Sequence, residues 1–222
     1  MKEKKNIFKR IWAFIAYQTS RLVYVVLLVP YRPLLLTPEG KRYKGRLKGG
    51  ALLAANHTTF SDPFVVGTAF WYRQMNFFTA DVVMATKTRE KLLKAAGSIK
   101  VNRDIADIEA MRSAVEVLKK GHLLLIFPEG GVRSVGQVQS IKPGAALMAT
   151  QAGVPIVPMY ICHNTRWYQR RRVIVGNTID PKTICTRKLP STADIAKITD
   201  ALYSEMQRCA ENYKTTKTEE TV

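Results

Sequence analysis

A histidine and an aspartate stand five residues apart in the stretch N-H-T-T-F-S-D, residues 56–62. An imidazole titrates near neutrality and takes a proton from a hydroxyl when a partner group fixes its tautomer. His57 is of the first type and Asp62 of the second. The chemistry such a pair performs is general-base activation of an alcohol, which makes a poor nucleophile able to attack an activated carbonyl. Taken alone, the same two residues describe equally well a histidine in a turn that Asp62 caps. Ser61 lies between them, but no G-x-S-x-G elbow occurs in the chain, so Ser61 reads as a turn residue rather than a nucleophile. His57, His122 and His163 are scattered and no H-E-x-x-H is present, so no metal is assigned. Cys162, Cys185 and Cys209 are odd in number and far apart without a C-x-x-C, which argues against a disulfide framework or a zinc site and for a reducing compartment.

The pair must be held by something, and the residues before it supply that. Ala51–Ala55 is a short apolar run ending in a polar turn, the pattern of a buried strand that delivers side chains to the end of a sheet. Strand and helix patterns then alternate. Residues 64–70 read as a helix with Pro63 in its first turn, 77–80 as a strand, 87–96 as a helix stopped by Gly97, and 99–101 as a third strand. Asp104 opens a helix with Ile105, Ile108, Met111, Val115 and Leu118 on one face and Lys119, Lys120 and Gly121 at its end. Residues 122–127 form an apolar run suited to a strand buried on both faces, and 144–152 a helix closed by Gly153. Residues 154–159 read as a strand whose Pro155 and Pro158 belong at its start or on an edge. Strands are also expected at 173–175 and 179–184, and Ser191 or Thr192 caps a final helix running to about residue 212. The expected fold is α/β, a mixed, largely parallel sheet flanked by helices, with an N-terminal membrane-interface helical segment.

With 222 residues, 46% apolar and 23% charged, the chain has the composition of one folded domain. The net charge of +18 requires an anionic partner. Within the first fifty residues twelve Lys and Arg face Glu3 and Glu39, and they flank the most apolar segment. From Phe8 the positions Ile11, Trp12, Ile15, Leu22, Val23 and Val26 share one helical face. Residues 22–29 are apolar on every side but stop at Pro30, far short of the ~20 residues a spanning helix needs. Residues 1–36 therefore read as a basic amphipathic segment associating with an anionic membrane surface, 37–215 as the globular domain, and 216–222 as a flexible tail. That gives a membrane-associated protein, interfacial or monotopic, on the cytoplasmic face. Residues 170–172, three arginines near Trp167 and Tyr168, meet anionic headgroups or an acidic carrier, or form a solvated basic loop. No helix-turn-helix, RNP-like or zinc signature accompanies the charge, so nucleic acid is not expected.

Four motifs occur in order: N-H-T-T-F-S-D from Asn56, G-S-I-K-V-N-R from Gly97, F-P-E-G from Phe127 and V-P-I-V-P from Val154. Together they resemble the glycerolipid acyltransferase family that includes the 1-acylglycerol-3-phosphate (lysophosphatidate) acyltransferases. The resemblance spans residues 50–165. It implies transfer of a fatty acyl group from an acyl thioester, acyl-CoA or acyl-acyl-carrier-protein, to a hydroxyl of a lysophospholipid acceptor, with no bound cofactor. It implies His57 as general base and Asp62 as its support. Arg103 is implied to hold the acceptor phosphate, a role that suits a guanidinium fork, and Glu129 and Gly130 its glycerol portion. The family commonly continues E-G-T-R-S, whereas this chain reads E-G-G-V-R-S, which puts Arg133 one place late. In the following I-K-P-G, Lys142 supplies a second cation for a phosphate. The departure at Gly131 keeps open the same chemistry on glycerol-3-phosphate or a lyso-aminolipid. The reading from another class is a non-catalytic basic protein binding membranes or nucleic acid.

Overall fold

Five successive apolar residues, Ala51–Ala55, form a strand in which every residue is buried. In the computed structural model this strand lies near the middle of one sheet. The structure describes residues 32–102, 107–130, 140–163, 170–185 and 190–219, with the helical positions Ile11, Trp12, Ile15, Gln18, Thr19 and Leu22. In chain order the elements are β1 (Leu34–Leu36), β2 (Ala51–Ala55), α1 (Asp62–Ala69), β3 (Met75–Ala80), a 3-10 turn (Asp81–Met84), α2 (Lys87–Ala95) and β4 (Ser98–Val101). There follow α3 (Ile108–Lys119), β5 (Leu123–Ile126), α4 (Gly144–Ala152), β6 (Ile156–Ile161), β7 (Arg172–Val175), α5 (Pro181–Ile184) and α6 (Thr192–Glu219).

The sheet has seven strands in the order β1-β7-β6-β2-β5-β3-β4. Every pairing is parallel except β6 with β7, so the sheet is mixed and largely parallel, as the alternation of patterns predicts. Strand alternation sorts the apolar residues onto two faces. Leu52, Ala54, Leu124, Ile126 and Ile156 pack with residues of α3, α4 and α6, whereas Ala51, Leu53, Ala55, Leu123 and Leu125 pack with Val65, Val66 and Ala69 of α1. The result is a helix–sheet–helix sandwich whose parallel strands end in one crevice, the place where α/β sheets bind ligands.

Several boundaries differ from the expected ones, each for a local reason. Leu34–Leu36, assigned to the N-terminal helical segment, is a strand, because Pro33 breaks the preceding pattern and β7 offers a parallel edge. The described start of α3 is capped by Asp107 rather than by Asp104; its carboxylate accepts from the amides of Ala110 and Asn102. Ile108, expected on the buried face of that helix, is 62% exposed. Pro158 lies within the fully buried β6, not at a strand start. Its carbonyl accepts from Gly176 just past the end of β7, so its nitrogen also faces the last rung of that ladder, where the missing N–H costs little. Residues 179–184 are not a strand: Ile179 makes one antiparallel bridge to Ile156, and Asp180 then caps the short α5. The last helix continues past the expected end to Glu219. Cys162 and Cys209 are buried core residues, and that burial pushes their thiols up to about 12.

Candidate active site

The site grows from the carboxyl end of β2. Asn56, the first residue beyond the strand, is clamped across to the end of β6: its Nδ2 donates to the Ile161 carbonyl at 3.2 Å, and its Oδ1 accepts from the Ile161 amide at 2.6 Å. That two-way bond fixes where the chain leaves the sheet and so where His57 begins. The next turn closes on Asp62, the first residue of α1, with Pro63 in the helix's first turn.

Asp62 is fully buried and its carboxylate is surrounded by donors. Oδ2 accepts from the amides of Thr58 and Thr59, each at 2.8 Å, and lies 3.1 Å from His57 Nδ1. Oδ1 accepts from Thr59 Oγ1 at 2.6 Å and from Arg171 Nη1 at 3.0 Å. Burial raises the carboxyl and is the largest single influence, yet the bonds from His57, the Thr59 hydroxyl and the two amides together outweigh it, so Asp62 lies below the usual carboxylate range. An ionised carboxylate is acceptor-only, so the proton on the His57–Asp62 contact belongs to Nδ1. In the neutral ring the lone pair is then on Nε2. The ring is held flat by Phe127, whose centroid lies 4.1 Å away with 17° between the planes. Ala54 pairs with Ile126 in parallel register, so Phe127 continues opposite Ala55, two residues before His57 and on the same face of the sheet, where the two rings meet.

Beside this pair opens a cavity of about 500 Å³. His57, Gly130 and Lys142 all line it, with Asn102 and Asp107 at one side and an apolar wall that includes Phe78, Met111, Ile126 and Met148. Gly130 has φ +77°, and a Cβ there would stand 3.1 Å from Lys142 Cε and 3.3 Å from Nζ. The glycine therefore serves twice, by adopting a left-handed turn and by letting the lysine stem lie across it. The Lys142 amide donates to the Pro128 carbonyl at 3.0 Å, which fixes the lysine beside the P-E-G turn. Glu129, between them in sequence, is buried. Arg103 and Arg133 lie outside the described residues; Val101, Asn102 and Asp107, on either side of Arg103, line the cavity. Among the described residues no group of three or more His, Cys, Asp or Glu is placed to hold a metal ion.

Sequence reasoning brought forward His57, Asp62, Gly130 and Lys142, and the fold gathers these four. It missed three partners of the pair. Asn56 and Phe127 belong to the motifs already quoted, so their types were in view although their contacts were not. Arg171 carried no signal beyond membership of a basic run.

Fold and site together define an α/β domain with a histidine–carboxylate pair at its strand ends and a largely apolar cavity beside the histidine. Residues 34–162 match the family described as Acyltransferase, and the chain belongs to that family. A 1-acyl-sn-glycerol-3-phosphate acyltransferase of Streptococcus pneumoniae is 28% identical over 169 residues, 73% of this chain and 61% of that protein. The chain thus spans about three fifths of that relative's length. One from Bacillus subtilis with the same description is 23% identical over 158 residues, 69% of this chain and 77% of that protein. Among solved structures, the 1-acyl-sn-glycerophosphate (LPA) acyltransferase PlsC from Thermotoga maritima shares the fold, with a TM-score of 0.58 at 18% identity over 95% of this chain and 83% of that one.

Proposed function

We propose that this protein is a 1-acylglycerol-3-phosphate O-acyltransferase, which moves a fatty acyl group from acyl-CoA or an acyl carrier protein to the free hydroxyl of the lyso acceptor and gives phosphatidate. The observation that carries this reading is the His57–Asp62 pair: Nδ1 is tied to a buried carboxylate while the ring lines a cavity that joins a cation, Lys142, to an apolar wall. In the proposed step His57 Nε2 takes the acceptor's hydroxyl proton as its oxygen attacks the thioester carbonyl. The C–S bond then breaks, and the departing thiolate recovers the proton from the imidazolium. No acyl-enzyme intermediate is required, and no bound cofactor or metal takes part.

The remaining roles follow the same logic. Arg103 and Lys142 hold the acceptor phosphate, with Arg133 as a third cation, and Glu129 and Gly130 hold the glycerol portion. The apolar side of the cavity, Met111, Ile126 and Met148 among others, takes the acyl chain. Residues 1–33 form the membrane-associating segment ahead of the acyltransferase domain. Exposed apolar residues support an interfacial position on an anionic membrane. The helical positions Ile11, Trp12, Ile15 and Leu22 are exposed, and so are Phe60, Phe64 and Trp71. No helix of the described residues is long and apolar enough to cross a membrane.

The test is purified protein incubated with acyl-CoA or acyl carrier protein and a panel of lyso acceptors, with products identified by mass. Phosphatidate formed by the native chain and lost in a folded His57→Ala variant is the expected result. Near-native turnover in His57→Ala would remove the base. Transfer only to glycerol-3-phosphate or to a lyso-aminolipid would replace the acceptor, an outcome the E-G-G-V-R-S departure makes worth including.

A further inference from the structure

We propose that Arg171 is a positioning residue of the His57–Asp62 pair: its guanidinium holds the second oxygen of the Asp62 carboxylate and sets how strongly the pair draws a proton. The inference deepens the acyltransferase reading and rests on it.

Arg171 reaches Asp62 from 109 residues away in sequence, Nη1 to Oδ1 at 3.0 Å, and a 3.2 Å contact joins the same nitrogen to Thr59 Oγ1. The arginine side chain is 23% exposed and the aspartate 0%. Its backbone is not free to drift. The Arg171 carbonyl accepts from the Leu34 amide at 2.8 Å, which starts the β1–β7 ladder, and the next residue's carbonyl accepts from Cys162 at 2.9 Å. The three-residue strand β1, too short to add much core, thus fixes the arginine against the carboxylate.

The consequence is electrostatic. An isolated histidine–aspartate pair becomes neutral when the imidazole gains a proton, and that neutralisation favours the protonated form. With Arg171 on the other oxygen the pair is already neutral, and protonating His57 leaves a net positive charge in a mostly buried site. Arg171 therefore disfavours the imidazolium relative to the same pair without it, and the imidazolium formed during reaction gives its proton to the leaving thiolate more readily. The other charged groups that line the cavity with the ring are Asp107, at the start of α3, and Lys142, ahead of α4, and Glu129 is buried in the turn after β5. Among the described residues, Arg171 is the permanent cation that bonds the Asp62 carboxylate directly.

The experiment compares the native chain with Arg171→Gln, which removes the charge, and Arg171→Lys, which keeps it. Two readouts are taken: kcat/KM for the lyso acceptor from about pH 5 to about pH 9, and the ring-proton NMR titration of His57, identified by its loss in His57→Ala. In Arg171→Gln the acid limb and the ring titration both move to higher pH by roughly half a unit to one unit, while Arg171→Lys stays with the native chain. A uniform loss of rate with neither midpoint moved would make Arg171 a structural residue only and overturn the proposal. A rise in KM confined to phosphorylated acceptors, with unmoved midpoints, would make it a phosphate ligand and overturn it as well. If none of the chains turns over substrate, the acyltransferase reading fails by itself, and the NMR midpoints still decide the role of Arg171.

Discussion

Around the Asp62 carboxylate five donors converge: His57 Nδ1, the amides of Thr58 and Thr59, the Thr59 hydroxyl and Arg171. Capping the turn and steering the histidine are therefore one arrangement, since the amides and the imidazole share a single oxygen. Asp62→Asn keeps the size but replaces an acceptor-only group with one that brings its own N–H toward those donors. The expected cost is about 3–5 kcal/mol in urea unfolding, because Arg171 and the amides lose a charged partner. Activity should fall by roughly 10²–10⁴-fold in kcat/KM, since Nδ1 no longer has a fixed acceptor. The pH dependence has a definite sign. A carboxyl held below its unfolded value of about 3.9 contributes its stability above that pH and loses it as pH falls through the lower folded value. The stability difference between the native chain and Asp62→Asn should thus be flat above about pH 5 and shrink below about pH 4. A difference that stays constant into the acid range would show that the carboxylate is not what Asp62 contributes.

At the scale of elements, the site depends on where β2 starts and where it lets go. Gly50 begins the approach: a Cβ there would stand 2.1 Å from the Leu118 carbonyl near the end of α3. Gly50→Ala must push helix and strand apart, with an expected loss of about 1–3 kcal/mol in thermal or urea unfolding. The chain leaves the strand at Asn56, held to Ile161 in both directions. Asn56→Ala leaves a buried amide and carbonyl of β6 without these bonds, at about 2–4 kcal/mol, and frees the first residue of the turn that carries His57. Both losses belong in one comparison. If Gly50→Ala lowers stability with kcat/KM nearly unchanged while Asn56→Ala lowers both, the exit of the strand, not the sheet as a whole, positions the base. The edge pair β1–β7 has the same kind of duty toward Arg171.

For the whole molecule the surplus of positive charge divides into fixed and outward parts. Arg73 is fixed: it donates to the carbonyl of Leu47 and, through Nη2, to those of Gly49 and Gly121, which braces the loops at the end of the sheet away from the site. Arg32 instead stands over the exposed Trp71 ring, 6.0 Å from its centroid, and Phe60 and Phe64 are also exposed. A cation beside aromatic rings is the composition of a surface that meets lipid headgroups. With a net charge of +18, binding to anionic vesicles should exceed binding to zwitterionic ones and weaken as salt rises. Co-sedimentation with vesicles of the two compositions checks this, and Trp71→Ala should weaken the anionic binding further. Equal binding to both vesicle types at all salt concentrations would contradict the membrane reading.

The sequence by itself determined the α/β class, the five-residue strand that delivers His57 and Asp62, and the P-E-G turn with Gly130, because each is written in local patterns: period, apolar runs and glycine positions. The helix cap at Asp107 is a local choice, made by bonds from the amides of Ala110 and Asn102, whereas the bridge at Ile179 was decided by a tertiary contact with Ile156, which outweighs propensity over a few residues. Only the folded chain decided what surrounds the carboxylate. The bond from Arg171 spans 109 residues, and the clamp from Asn56 to Ile161 spans 105. Local pattern carries no information on contacts of that range, which arise when β6 comes to lie beside β2 and β7 beside β6. So a run of three arginines that reads either as a contact for anionic headgroups or an acidic carrier or as a solvated basic loop contains one that holds the Asp62 carboxylate.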